Sequence, residues 1–122
     1  MRRILAVDDD NDILEVLQFI LEDSGYEVDT LSDGHNLMET IRKKMPDLIL
    51  LDIMLGNLDG RELCKAVKKE GSTHNIPVIM ISASHSVPNT MNQEGGPNDF
   101  IAKPFDISNL LSKIKFQLNR AA

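Results

Sequence analysis

Three short and almost uninterrupted apolar runs constrain the fold of this chain more than any other feature. They lie at residues 3–7, 48–51 and 77–81, and they read RILAV, LILL and PVIMI. A strand with one face in water alternates between apolar and polar residues, whereas these runs are typical of strands that are covered on both faces. The sequence therefore predicts a parallel sheet in the interior of the protein.

Longer amphipathic segments separate these runs and predict helices. Their apolar residues recur at spacings of three and four, so each helix presents one apolar stripe to the sheet. Gly25 follows the first segment at the position where a left-handed residue often ends a helix, and Asp106 is the candidate N-cap of the last. The predicted helices cover residues 11–24, 34–44, 60–70 and 107–119.

Three further segments complete the pattern less regularly. Residues 27–31 alternate between polar and apolar residues, which predicts a strand near a sheet edge, and residues 100–102 predict a short fifth strand. Residues 84–98 contain two prolines, two glycines and three asparagines, so a helix there is short or irregular, near residues 88–94. The order of elements predicts an α/β doubly wound sheet, either flavodoxin-like or a Rossmann half.

Composition bounds the class of protein. The 122 residues are interpreted as one domain, 1–122, and 42% of them are apolar, which suffices for an aliphatic core. The net charge of −6 argues against binding nucleic acid through a basic face. The single cysteine, Cys64, lies among apolar residues and is interpreted as a core residue in a reducing compartment. No segment has the apolar length of a membrane span, so we expect a cytoplasmic protein.

Acidic and polar side chains follow the predicted strands. Asp8 and Asp9 come after the first strand, Asp52 ends the third, Ser82 follows the fourth and Lys103 follows the fifth. The carboxyl ends of parallel strands meet at one edge, so we expect these side chains to lie close together. Crowded carboxylates repel each other unless a cation intervenes, and Mg²⁺ prefers oxygen ligands of this kind. The sequence therefore predicts a magnesium site beside the charge of Lys103.

Simpler interpretations of the acidic residues stay open at this point. An aspartate at the end of a strand is often a turn former, and either Asp10 or Asn11 is a candidate cap for the first helix. The run 8–12 begins like a calcium loop, but Ile13 and Phe19 occupy positions where that loop requires Gly and Glu. A glycine-rich phosphate loop is excluded because no glycine closely follows the first strand.

Five motifs occur in order along the chain. They are VDDD at 7–10, LDIML at 51–55, DG at 59–60, ISA at 81–83 and DFIAKPF at 99–105. Together they resemble the receiver domains of response regulators in bacterial two-component signalling, and the likeness runs from about residue 3 to residue 118. The resemblance implies a flavodoxin-like five-stranded sheet with the strand order 2-1-3-4-5.

The resemblance also implies roles for the acidic residues. Asp52 corresponds to the phosphoacceptor, which attacks phosphorus and becomes an acyl phosphate. Asp8 and Asp9 correspond to the acidic pair that holds Mg²⁺ together with Asp52. Met54 occupies the position whose backbone carbonyl completes the metal site.

Other residues correspond to the phosphoryl contacts and the switch of the family. Lys103 matches the lysine that contacts the phosphoryl group, and Ser82 matches the hydroxyl that hydrogen-bonds it after transfer. Phe100 matches the aromatic residue that then moves inward, and the Lys103–Pro104 peptide matches a bond that is usually cis. The implied donor is a sensor histidine kinase or a histidine phosphotransfer protein, and a downstream protein is a further candidate partner.

The chain departs from the family pattern in several places. Gly56 stands in the loop after the acceptor strand, where the family commonly has proline, and Gly96-Pro97 stands where it often has Gly-Ala. The segment 84–98 is poor helix material. The usual output face, built from the fourth helix, fifth strand and last helix, is therefore matched less well than the acceptor site.

Two other functions compete with a phosphorylated switch. One is a protein-interaction domain on the same fold that works without phosphorylation, which the irregular segment 84–98 favours. The other is a phosphatase that acts on an external substrate, but its Asp-x-Asp-x-Thr signature would require threonine at Asp12. We expect a domain that catalyses only its own phosphoryl transfer and dephosphorylation, and that binds neither nucleic acid nor a membrane.

Overall fold

The apolar runs form the central strands of a five-stranded parallel sheet. The computed structural model describes residues 2–82 and 95–121. The order across the sheet is β2-β1-β3-β4-β5, which confirms the flavodoxin-like order. A Rossmann half is excluded, because β1 lies between β2 and β3. In chain order the strands β1 to β5 are Arg3–Val7, Glu27–Leu31, Leu48–Asp52, Val78–Ser82 and Asp99–Ala102.

The helices lie where the amphipathic segments predict them. A short 3₁₀ helix, Gly34–Asn36, precedes the second α-helix, so the segment 34–44 is not α-helical from its first residue. The segment 83–94, with the helix predicted near 88–94, lies outside the described residues. No helix in the described part of the chain is long and apolar enough to cross a membrane. The helices α1 to α4 are Asn11–Asp23, Leu37–Lys44, Gly60–Lys69 and Ile107–Ala121.

Alternate residues of the central strands enter two separate cores. Ile4 and Ala6 of β1 pack with α1 and α4 on one face, whereas Leu5 and Val7 pack with α2 and α3 on the other. Every residue of β3 and β4 is buried, as expected of strands covered on both faces. Cys64 is fully buried in the second core, and burial raises the pKa of its thiol to about 11, which confirms its interpretation as a core residue.

The alternating segment 27–31 forms the edge strand β2, as predicted. Among the strands that the structure describes, it pairs with β1 alone. The Arg3 guanidinium of β1 donates to Glu27 and Asp29 at 2.7 Å each. Gly25, with a φ of 97°, lies between α1 and β2 in the left-handed conformation predicted for it.

Asp10 is the N-cap of α1, which decides between the two candidates for that role. Its Oδ1 accepts hydrogen bonds from the backbone N–H of Asp12 at 2.9 Å and of Ile13 at 3.4 Å. Asp106 accepts a hydrogen bond from the Ser108 N–H at 2.9 Å and caps α4, as predicted. Both caps satisfy N–H groups that have no partner within the helix.

We expect Asp10→Ala to lower the free energy of unfolding by about 1 kcal/mol, because it removes the acceptor for the first N–H groups of α1. Asn11→Ala is the matched control, since Asn11 is already the first residue of the helix. Urea unfolding followed by circular dichroism measures both variants. Equal losses of stability in the two would contradict the assignment of the cap.

Candidate functional site

The carboxyl edge of the sheet gathers the side chains that the sequence singled out. The register pairs the last residues of neighbouring strands, so β1, β3, β4 and β5 end at nearly the same level. Asp8 and Asp9 directly follow β1, Asp52 ends β3, Ser82 ends β4 and Lys103 directly follows β5. The topology thus delivers these residues to one edge of the sheet.

Lys103 joins two buried carboxylates. Its Nζ lies 3.0 Å from Asp8 Oδ2 and 3.1 Å from Asp52 Oδ2, so one ammonium group donates to both. Asp8 is fully buried, and Asp52 is 5% exposed. A buried charge without a partner is costly, so the ammonium group offsets much of the cost of burying these two carboxylates.

The other oxygen of each buried carboxylate accepts a backbone hydrogen bond. Asp8 Oδ1 accepts from the Asp10 N–H at 2.9 Å, and Asp52 Oδ1 accepts from the Met54 N–H at 3.3 Å. Each carboxylate is therefore held from both sides, by the chain that follows its own strand and by Lys103. This fixes the direction in which the two groups face.

Burial and charge shift the proton affinities of the cluster. Burial raises the pKa of Asp52 above its ordinary value, the charge of Asp8 raises it further, and Lys103 offsets only part of the rise. Burial lowers the pKa of Lys103, but its hydrogen bonds to Asp8 and Asp52 and their charges outweigh this, so its pKa is raised. Lys103 therefore stays charged at neutral pH.

Asp9 completes a group of three carboxylates. Asp8, Asp9 and Asp52 each offer one oxygen, and these atoms lie within 4.8 Å of one another. Asp9 is exposed, and its Oδ2 accepts a hydrogen bond from the Gly56 N–H at 3.1 Å. Three carboxylates against one ammonium leave an excess of negative charge. An oxygen donor set of this kind fits a hard divalent cation such as Mg²⁺.

Gly60 allows α3 to begin directly against β3. A Cβ at this position would collide with the carbonyl oxygen of Asp52 and lie 2.9 Å from Ile53 Cα. The Gly60 N–H donates to the Ile53 carbonyl at 2.6 Å, and Asp59 caps α3 by accepting from the Arg61 N–H at 2.9 Å. The Asp-Gly motif therefore has a steric reason, which is the close approach of α3 to Asp52.

The remaining predicted residues differ in their burial and in their contacts with the acidic cluster. Ser82 is 2% exposed, and the switch roles of Ser82 and Phe100 stay predictions. Phe100 is half-buried against the core beneath α2 and α3, outside the acidic cluster. Met54 exposes its side chain and reaches Asp52 through its N–H. The Lys103–Pro104 peptide is cis, which confirms that prediction.

A short hairpin after Asp52 was not predicted. Met54–Leu55 pairs antiparallel with Leu58–Asp59, and Gly56 and Asn57 form the connection. Two-residue strands are too short to show a periodic pattern in the sequence. The available signal was glycine at the first position of a two-residue turn, which favours a II′ hairpin.

We expect Asp52→Asn to raise the melting temperature at neutral pH. The pKa of Asp52 is higher in the folded protein than its ordinary value, so ionisation of this carboxyl lowers the free energy of unfolding. The loss appears as the pH rises from the ordinary pKa through the folded-state pKa. The gain should therefore shrink as pH falls below the ordinary pKa of aspartate. Thermal unfolding from acidic to neutral pH measures it, with Asp23→Asn at the exposed end of α1 as the control. A pH-independent gain would contradict this account.

Comparisons with known proteins agree with the architecture. The family model for the response regulator receiver domain matches residues 4–115. A CheY-like receiver domain protein from Methanospirillum hungatei JF-1 is 33% identical, with a TM-score of 0.90, and the match covers 99% of this chain and 96% of that chain. The signal receiver domain of a signal transduction histidine kinase from Syntrophus aciditrophicus is 32% identical, with a TM-score of 0.87 and coverage of 98% and 91%. The chemotaxis response regulator CheY4 of Vibrio cholerae is 30% identical, with a TM-score of 0.85 and coverage of 96% and 98%. The chain therefore belongs to the family of response regulator receiver domains.

Proposed function

We propose that this chain is the phosphorylated switch of a two-component pathway and that Asp52 accepts the phosphoryl group. The observation that supports this most is the Lys103 bridge between Asp8 and Asp52, beside the third carboxylate of Asp9. Asp8 is closed to solvent, and Asp9 is held by Gly56. Asp52 is 5% exposed, whereas Asp8 has no exposed surface, and Asp52 also contacts the Lys103 ammonium group, which favours Asp52 as the nucleophile.

In the proposed reaction, a carboxylate oxygen of Asp52 attacks the phosphorus of a phosphohistidine donor. A new O–P bond forms as the P–N bond breaks, the electron pair returns to the imidazole nitrogen, and Asp52 becomes an acyl phosphate. The carboxylate loses its negative charge in this step, while the incoming group brings new anionic oxygens. Lys103 is already within hydrogen-bond distance of Asp52, so it can pair with those oxygens by a small movement.

The proposed ligands for Mg²⁺ are the three carboxylates and the backbone carbonyl of Met54. Bound there, the cation would neutralise negative charge on the oxygens of the transferred group. The chain itself supplies the positioning, because Asp8 and Asp52 are each held by Lys103 and by a backbone N–H. Fixed groups of this kind need little reorganisation during transfer.

The proposed response to phosphorylation passes through Ser82 and Phe100. Ser82 ends β4 at the acidic edge, and its hydroxyl is the proposed donor to a phosphoryl oxygen after transfer. Phe100 is the proposed aromatic switch on β5. Lys113 of α4 donates to the Phe100 carbonyl at 2.8 Å and lies 5.5 Å from the centre of its ring. A rearrangement of Phe100 would therefore also disturb a contact with α4.

A receiver domain is a signalling module and is not generally regarded as an enzyme. The proposed donor is accordingly a sensor histidine kinase or a histidine phosphotransfer protein, and the proposed recipient of the signal is a downstream protein in the cytoplasm. We also propose that the chain 1–122 acts as one domain. Its net charge of −6 supports a protein partner over direct binding of nucleic acid.

Incubation with Mg²⁺ and a small acyl phosphate should add the mass of one phosphoryl group to the protein. Asp52→Asn should abolish the gain, because the nucleophile is lost, whereas Asp23→Asn should retain it. Intact-protein mass spectrometry provides the measurement. The proposal fails if the gain persists in Asp52→Asn, or if neither acyl phosphates nor phosphorylated histidine kinases produce it. Partner binding that is unchanged by Asp52→Asn would then favour a phosphorylation-independent interaction domain.

A further inference from the structure

The short hairpin after Asp52 extends to the acidic cluster and touches one member of it. We define the acceptor hairpin as residues 54–59. Gly56 is the first of its two connecting residues and has a φ of 63°. A positive φ at the first connecting residue, without one at Asn57, fits a II′ turn, in which glycine is the preferred first residue. The backbone N–H of Gly56 donates to Asp9 Oδ2 at 3.1 Å.

The acceptor hairpin is anchored by packing, which holds its two connecting residues in place. Leu55 and Leu58 pair across the hairpin and pack with the core beneath α2 and α3. A Cβ at Gly34 would lie 3.2 Å from Leu55 Cδ1 and 3.1 Å from Leu58 Cδ1, so the two leucines sit tightly against that glycine. At the base, the Gly60 N–H donates to the Ile53 carbonyl at 2.6 Å. The Gly56 N–H is therefore presented from a fixed support.

Asp9 is the member of the cluster that most needs a support. Asp8 and Asp52 are buried and held by Lys103, whereas Asp9 is exposed. Within the residues that the structure describes, the hydrogen bond from Gly56 is the one that the Asp9 side chain accepts. Without it, an exposed aspartate samples several rotamers, and only some of them point an oxygen at the other two carboxylates.

We propose that Gly56 is a positioning residue for the divalent cation, acting through Asp9. Its N–H occupies Oδ2 and leaves the other oxygen of the carboxylate for the metal. Hydrogen bonds of this kind to a ligating carboxylate orient it and commonly strengthen metal binding. The inference rests on the proposed function, because it takes the three carboxylates to be the metal site.

Glycine provides here what the residue common in the family cannot. Proline has no backbone N–H, and its ring fixes φ near about −65°. A proline at position 56 would therefore lose both the donor and the turn geometry that the hairpin uses. Gly56, which departs from the family pattern, thus has a proposed chemical role, because its N–H holds Asp9.

The test is a Mg²⁺ titration of the unphosphorylated chain, followed by ¹H–¹⁵N NMR. Gly56→Pro should weaken Mg²⁺ binding by about tenfold, the low end for contacts to a metal-ligating carboxylate. Gly56→Asn keeps the N–H and tolerates a positive φ, so its affinity should stay closer to that of the original chain. Asp9→Asn should weaken binding more than either.

The three variants separate this inference from the proposed function. If Asp9→Asn weakens Mg²⁺ binding and Gly56→Pro leaves it unchanged or tighter, Gly56 is not a positioning residue, while the metal site stands. If Asp9→Asn has no effect on Mg²⁺ binding, the metal site itself is wrong and both proposals fall.

A second measurement keeps the inference testable if Gly56→Pro does not fold. In the spectrum of the unphosphorylated chain without metal, the Gly56 amide proton should move to lower chemical shift in Asp9→Ala, because its acceptor is removed. Asn57 is the control, since its amide belongs to the same turn. An unchanged Gly56 resonance would overturn the inference.

Discussion

One ammonium group between two buried carboxylates is the interaction on which this structure depends. Lys103 follows β5, whereas Asp8 and Asp52 come from β1 and β3, so the contact requires the parallel sheet in its observed register. The two cores on opposite faces of the sheet fix that register, and Gly60 allows α3 to begin directly against β3. Together these features hold Lys103, Asp8 and Asp52 close enough to pair, and without that pairing their buried charges would be costly.

The same interaction supports the proposed role of the site. One positive charge among three carboxylates leaves a negative excess, which favours a divalent cation, and the raised pKa of Asp52 records the cost of its burial. Unfavourable buried charge of this kind is common at functional sites. In the proposed reaction, Asp52 would become an acyl phosphate, and the negative charge would move from its carboxylate to the phosphoryl oxygens, with which Lys103 can pair.

The sequence predicts the long strands and helices better than the helix caps and short connections between them. Continuous apolar runs identified β1, β3 and β4, and the short segment 100–102 identified β5. The carboxyl ends of β1, β3 and β5 then bring Asp8, Asp52 and Lys103 to one edge of the sheet. Between Asp10 and Asn11 the sequence could not choose the cap, because both side chains offer an acceptor. The acceptor hairpin was not predicted, because its strands have two residues each and show no periodic pattern.

Contacts between distant residues were beyond the reach of sequence patterns. The hydrogen bond from Gly56 to Asp9 joins residues 47 positions apart, and only the folded hairpin brings them together. The resemblance to receiver domains marked Gly56 as a departure from the pattern but gave it no role. The reason for Gly60 was hidden for a similar cause, since the atoms that exclude a side chain there belong to the neighbouring strand.

The affinity for Mg²⁺ of Lys103→Gln tests the central claim most directly. If Lys103 neutralises the carboxylates that also bind the cation, removing its charge should tighten Mg²⁺ binding while slowing phosphorylation of Asp52. Lys113→Gln is the matched control, because Lys113 forms its ion pair with Asp99 instead. Tighter Mg²⁺ binding in Lys103→Gln alone is the predicted result. Unchanged or weaker binding would contradict the account.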